Sequence, residues 1–121
     1  NRTVAMRIPH SDEKNVRIEH RIAGADANPY LVTAAVLAGI LHGLDSKGDP
    51  GPAIVGNAYE QTEQRQLFWR DTINDFMASG FIKDMFGAEF QHVYGQQKLK
   101  EMRSFYTEVT TLEYDWYLRS V

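Results

Sequence analysis

Two short stretches near the start of the chain alternate apolar and polar residues. In VAMRIPH (residues 4–10) and VRIEHRIA (16–23) the period is two, which predicts extended strands. Ser11, Asp12 and Glu13 between them have the composition of a turn. In the second stretch Arg17, Glu19 and Arg21 share one face, and Ile18, His20 and Ile22 share the other. In the first, Arg7 opposes the parity of Val4, Met6 and Ile8. Both stretches can therefore present a charged face, and the pattern leaves open whether they pair as a hairpin.

From residue 28 the period becomes helical. Asn28 is a good N-cap, and Pro29 suits the first helical position because its missing N–H is unpaired there anyway. The apolar run that follows predicts a helix from Pro29 to about His42, stopped by Gly43. It is apolar nearly all round, which predicts burial. Residues 45–61 carry clustered Gly, Pro and Asp and read as a long loop. Trp69, Ile73, Phe76 and Met77 then follow helical spacing, with Gly80 as the expected C-cap. The stretch FIKDMFG is a short segment ending at Gly87. The longest helix is expected from Ala88 to about Val109. Its apolar stripe is Phe90, Val93, Tyr94, Met102, Phe105, Tyr106 and Val109, and Gly95 weakens its middle by about 1 kcal/mol relative to Ala. Thr110 and Glu113 match a capping box for a last helix carrying Leu112 to Leu118. Short strands followed by a buried helix and a C-terminal helical bundle define an α+β class.

Composition narrows the function. The 121 residues suit one domain, and 43% apolar with 24% charged residues is an ordinary globular balance. A net charge of −3 gives no general electrostatic reason to bind nucleic acid. The absence of Cys excludes disulfide frameworks and thiolate metal sites, and fits a cytoplasmic protein. No signal-peptide pattern is visible in NRTVAMRIPH. The longest apolar run, from Tyr30 to Leu44, falls short of the roughly 20 residues of a membrane span, so no membrane partner is expected. The first residue is Asn, and the chain enters strand-like sequence at once, which reads as a segment of a longer protein.

The chemistry concentrates on the charged face. Arg17, Glu19 and Arg21, with Arg7, Lys14 and Arg2 near by, admit two readings. One is a solvated strand face with cross-strand ion pairs, each worth little. The other is an anion site, because converging cations clamp phosphate and carboxylate oxygens and Arg does so bidentately. A carboxylate within such a cluster makes sense as a ligand for Mg²⁺ or Mn²⁺, which favour oxygen donors and substrate phosphates. One Glu cannot build a metal site, so the other ligands must lie elsewhere. His10, His20, His42 and His92 show no metal-ligand spacing, and there is no P-loop, GxGxxG or GxSxG. Trp69 and Trp116 at helical spacing read as core or interface.

Three motifs in order carry a resemblance: NRTVAMRIP, then RIEHR, then ANPYL opening the apolar helix. Together they resemble the C-terminal part of the catalytic domain of glutamine synthetases. FIKDMFG and the EYDWYL ending resemble that family's tail more loosely. The resemblance implies that residues 1–121 are the C-terminal portion of such a domain, with an N-terminal domain and the rest of the catalytic sheet outside it. It implies that Glu19 is a metal carboxylate, that Arg21 contacts glutamate and the transferred phosphoryl group, and that Arg2 stabilises the transferred γ-phosphate. Arg7 and Arg17 match Arg residues on the nucleotide phosphates, and Lys14 a nucleotide contact nearer the adenosine. The implied reaction consumes ATP with Mg²⁺ or Mn²⁺. It phosphorylates the γ-carboxylate of glutamate, and an amine then displaces phosphate, in a ring oligomer. Ammonia-using members usually have an apolar residue between the motif's Glu and its second Arg, then Pro-Asp before the turn. Here His20 and IAGADANPY stand instead, which looks like the γ-glutamylpolyamine (γ-glutamylputrescine) synthetase branch. Ammonia is the alternative amine, and a catalytically retired assembly module the alternative class. Tyr59 reads as a surface tyrosine, in a loop where some family members carry an adenylylated Tyr.

Overall fold

A computed structural model of the chain describes residues 2–61 and 68–120. It divides into two compact units, Asn1–Arg65 and Gln66–Val121, which are taken in turn. Among the described residues there are five α-helices and one two-stranded sheet, an α+β content dominated by helix.

In the first unit, β1 (Met6–Arg7) and β2 (Glu19–His20) pair antiparallel, with Met6 opposite His20 and Arg7 opposite Glu19. The pairing settles the hairpin question, although each strand is far shorter than the alternating stretch around it. The link between them is a tight 3-10 turn at Glu13–Asn15, closed by the Asn15 N–H donating to the Asp12 carbonyl.

Helix α1 (Pro29–Ser46) starts as the sequence predicts: the Asn28 side chain accepts from the N–H groups of Tyr30 and Leu31, with Pro29 at the first position. It does not stop at Gly43. The helix runs on to Ser46, and Lys47 takes the left-handed conformation at φ 53°. The N–H groups of Lys47 and Gly48 close back on the carbonyls of Leu44 and Gly43. This is the paired bond pattern that satisfies the last carbonyls of a helix, and its geometry rather than a mid-helix Gly sets the end. The expected burial is not found either. Only Ala38 is buried, while Leu37, Ile40, Leu41 and Leu44 are exposed. Among the described residues the rest of the unit is two short strands, two 3-10 turns and loops, too little surface to cover a helix that is apolar all round. By length and composition alone α1 also qualifies as a membrane span. Its 18 residues would rise about 27 Å, just under the ~30 Å of a bilayer core.

The second unit builds its own core. Helices α2 (Trp69–Ala78), α3 (Gly80–Phe86) and α4 (Ala88–Thr107) pack through Ile73 and Met102, with Gln91 buried beside them. Gly80 does not cap α2. Ser79 ends α2 and at once caps α3, its hydroxyl accepting from the Ile82 N–H, so Gly80 is the first residue of the next helix. Gln91 locks this corner: its Nε2 donates to the carbonyls of Phe76 and Ser79, both at 2.8 Å. Gly87 separates α3 from α4 at φ 87°, a conformation L side chains rarely adopt.

The predicted stripe of α4 is only partly the buried one. Val93, Phe105 and Tyr106 are exposed, and Gln91, Gly95 and Met102 face inward. Gly95 is inward because a Cβ there would lie 2.6 Å from Met77 Cγ. The crossing of α2 and α4 needs that gap. Around it Phe76 meets Phe90 and Tyr94, with Phe90 stacked on Tyr94 at 5.5 Å, and Trp69 meets Phe105 and Tyr106 edge-on. Helix α4 ends two residues before Val109. Helix α5 (Thr111–Tyr117) follows behind the predicted capping box, in which Thr110 and Glu113 satisfy each other's backbone N–H groups.

Candidate functional site: an arginine cluster around Glu19

Strand register brings the charged side chains together. Arg7 and Glu19 are directly opposite, and Arg17 and Arg21 flank Glu19 at two-residue spacing on the same face. The N–H of Arg21 extends the pairing by donating to the Ala5 carbonyl at 2.9 Å. Three guanidiniums converge on one carboxylate. Arg21 Nη2 lies 3.0 Å and Arg7 Nη1 3.3 Å from Oε2, and Arg17 Nη2 lies 3.6 Å from Oε1. Three positive charges against one negative leave the cluster at +2.

The electrostatics follow. The hydrogen bond from Arg21 holds the Glu19 carboxyl below the usual carboxylate range. Partial desolvation opposes this, and the charges of Arg7, Arg21 and Arg17 reinforce it. Glu19 and Arg21 each keep about 29% of their side-chain surface exposed, so an incoming anion can reach both.

Not every expected residue joins. Among the described residues no ion pair or hydrogen bond ties Arg2 or Lys14 to Glu19. Lys14 sits in the 3-10 turn and Arg2 on the segment before β1, both exposed. Asn1, the first residue of the NRTVAMRIP motif, lies outside the described residues. His20 pairs with Met6 on the other side of the strand. Tyr59 is an exposed tyrosine on a second 3-10 turn, Ala58–Glu60. That turn also holds a contact the sequence did not announce: the Ala58 N–H donates to Thr3 Oγ1 at 2.8 Å across 55 positions. No local pattern marks a hydroxyl for such a distant partner.

Geometry favours an anion over a bare cation. A phosphate or carboxylate group would meet surplus positive charge and forked donors. For a divalent metal the donor set is incomplete. Both Glu19 oxygens already face guanidiniums, and among the described residues no three His, Cys, Asp or Glu come together as ligands. On these residues an anion fits as they stand, and a divalent metal at Glu19 would need its further ligands from outside them.

Comparison with known proteins decides the family. Residues 1–117 match the model of the glutamine synthetase catalytic domain. The chain belongs to that family. Among its glutamine synthetase-family relatives, gamma-glutamylputrescine synthetase PuuA of Escherichia coli is 42% identical over 99% of this chain and 26% of the relative. Glutamate–isopropylamine ligase of a Pseudomonas species is 35% identical over 98% of the chain and 27% of the relative. Glutamine synthetase of Halobacterium salinarum is 29% identical over 98% of the chain and 28% of the relative. The chain thus spans about a quarter of the length of the curated relatives it matches. No solved structure matches it.

Proposed function

We propose that this chain supplies the phosphate-clamping face of an ATP-dependent ligase that joins the γ-carboxylate of glutamate to an amine through γ-glutamyl phosphate. The observation that carries the reading is the +2 cluster of Arg7, Arg17 and Arg21 around Glu19. Phosphoryl transfer is mostly positioning and charge stabilisation, and guanidiniums aimed at phosphoryl oxygens provide both. Arg7 and Arg17 would hold nucleotide phosphates. Arg21 would hold glutamate and the phosphoryl group, Arg2 the transferred γ-phosphate, and Lys14 the nucleotide nearer its adenosine. A Mg²⁺ or Mn²⁺ ion would take Glu19 as one oxygen ligand, with the others coming from outside the described residues.

For the amine we propose a polyamine such as putrescine. Support comes from His20 and IAGADANPY in place of the ammonia-type turn, and from the higher identity to the putrescine-named relative than to the glutamine synthetase. Ammonia is the second reading, carried by the glutamine synthetases among the relatives. We read the full-length protein as a cytoplasmic ring oligomer and α1 as an apolar helix of that enzyme rather than a membrane anchor.

Phosphate release by the full-length protein with glutamate and ATP, with putrescine or ammonia as acceptor, tests both levels. A higher kcat/KM with putrescine is the expected result. Preference for ammonia would overturn the amine assignment and leave the ligase standing. No release with either amine would favour the retired assembly module.

A further inference from the structure

We infer that Thr3 is a positioning residue that hangs the 57–61 turn from the strand carrying the arginine clamp, so that occupation of the clamp is felt at the turn. The inference rests on the anion-binding reading of that face.

The turn is preformed. Asn57 Oδ1 accepts from the Tyr59 N–H, Asn57 Nδ2 donates to Glu60 Oε1 at 2.7 Å, and Gln61 Nε2 donates to the Val55 carbonyl at 2.7 Å. Gly56 reverses the chain at φ 87° just before it. These bonds are local, so they fix the turn's shape but not its place. A tie to the strand segment comes where Ala58, only 4% exposed, donates its N–H to the Thr3 hydroxyl. Thr3 begins a short relay along one segment. Two residues on, the Ala5 carbonyl accepts from the Arg21 N–H. Two further, Arg7 pairs with Glu19. Tie, backbone bond and ion pair therefore succeed one another at residues 3, 5 and 7. An anion that draws Arg7 and Arg21 toward itself loads the same segment from which the turn hangs.

The experiment uses the full-length protein with inorganic pyrophosphate as the probe. Hydrogen exchange is followed over residues 55–61, alongside pyrophosphate affinity. In the unaltered protein, saturating pyrophosphate should slow exchange at Ala58. Thr3→Val, nearly isosteric, should speed that exchange roughly fivefold to tenfold, the worth of one hydrogen bond. It should weaken pyrophosphate binding severalfold and remove most of the protection. Thr3→Ser, which keeps the hydroxyl, should restore all three. Faster exchange with unchanged pyrophosphate affinity would reduce Thr3 to a structural tie and overturn the inference. So would exchange that Thr3→Val leaves alone in a protein whose circular dichroism is intact. None of these readouts needs turnover, so a protein that binds pyrophosphate but ligates no amine would sink the ligase reading and leave this one intact.

Discussion

The two units of the chain solve opposite problems. Gln66–Val121 closes a small core on itself: Ile73 and Met102 are buried, Gln91 locks the α2–α3 corner, and α4 approaches α2 closely at Gly95. Asn1–Arg65 holds the more apolar helix yet, among the described residues, buries little more than Ala38 and Ala58 of its apolar side chains. Its order comes from polar devices, namely the Asn28 cap, the β1–β2 register, the Thr3 tie and the ion pairs on Glu19. One unit is organised by packing, and the other is organised to present charge. An apolar sequence therefore forecasts burial only where the chain also supplies the surface that buries it.

The sharpest break of this contrast is at Glu19. Glu19→Gln keeps the shape but removes the charge on which three guanidiniums converge. In the full-length protein, ligase turnover should fall by about a hundredfold or more, as when a positioned charge is lost from a transfer site. Helical circular dichroism should stay unchanged, because no packing depends on Glu19. Near-normal turnover would show that the arginines need no central carboxylate.

A paired truncation comes next. In the 121-residue chain Ile73→Ala should cost about 2–4 kcal/mol, the usual penalty of a core cavity. Leu41→Ala should cost about 0.5 kcal/mol or less, since Leu41 is 54% exposed against 5% for Ile73. In the full-length protein the Leu41→Ala cost should rise to about 2 kcal/mol if further chain covers α1. Denaturant titrations of both variants in both contexts read this directly, and an unchanged Leu41 cost would mean that α1 stays bare.

Gly95→Ala is subtler. Ala is the better helix former by about 1 kcal/mol. The added methyl would nevertheless meet Met77 Cγ at 2.6 Å, and overpacking costs about 1–3 kcal/mol. Thermal melts should show a net loss, turning into a gain when Met77→Ala makes room.

The smallest effect is in pH. The Glu19 carboxyl titrates lower in the folded chain than in the unfolded one, so its contribution is fully present above the unfolded value of about 4.3. It fades as pH falls through the lowered folded value. Side-chain NMR of Glu19 should titrate below an ordinary glutamate, and Arg21→Ala should move it back up because Arg21 supplies the largest cause.

How far the sequence could be read follows the same division. Local devices were legible: Asn28–Pro29, the Thr110–Glu113 box, Gly87, and the shared parity of Arg17, Glu19 and Arg21 each depend on neighbours a few positions away. Choices between neighbouring devices, and features set by distant partners, were not. Gly43 looked like a stop, but the end of α1 lies where Lys47 could turn left-handed and return two bonds. Gly80 looked like a cap, but Ser79 serves two helices at once. Val93 seemed a better core residue than Gln91, yet the carbonyls of Phe76 and Ser79 draw the amide inward. The convergence of Arg7 on Glu19 needed the strand register, and Arg2 and Lys14, grouped with it by sequence proximity, stay apart from Glu19.

The three ion pairs on Glu19 also give the clamp an internal competitor. A ligand meets donors that Glu19 already engages in part. It competes with a tethered carboxylate whose local concentration is high. A monoanion such as acetate or chloride would exchange one negative charge for another and gain little. A phosphoryl group, carrying more charge and three acceptor oxygens, can outbid Glu19 for at least two guanidiniums. On the proposed reading, the resting cluster would act as a filter on anion valence, discriminating against the monovalent salts of its surroundings before any shape is read.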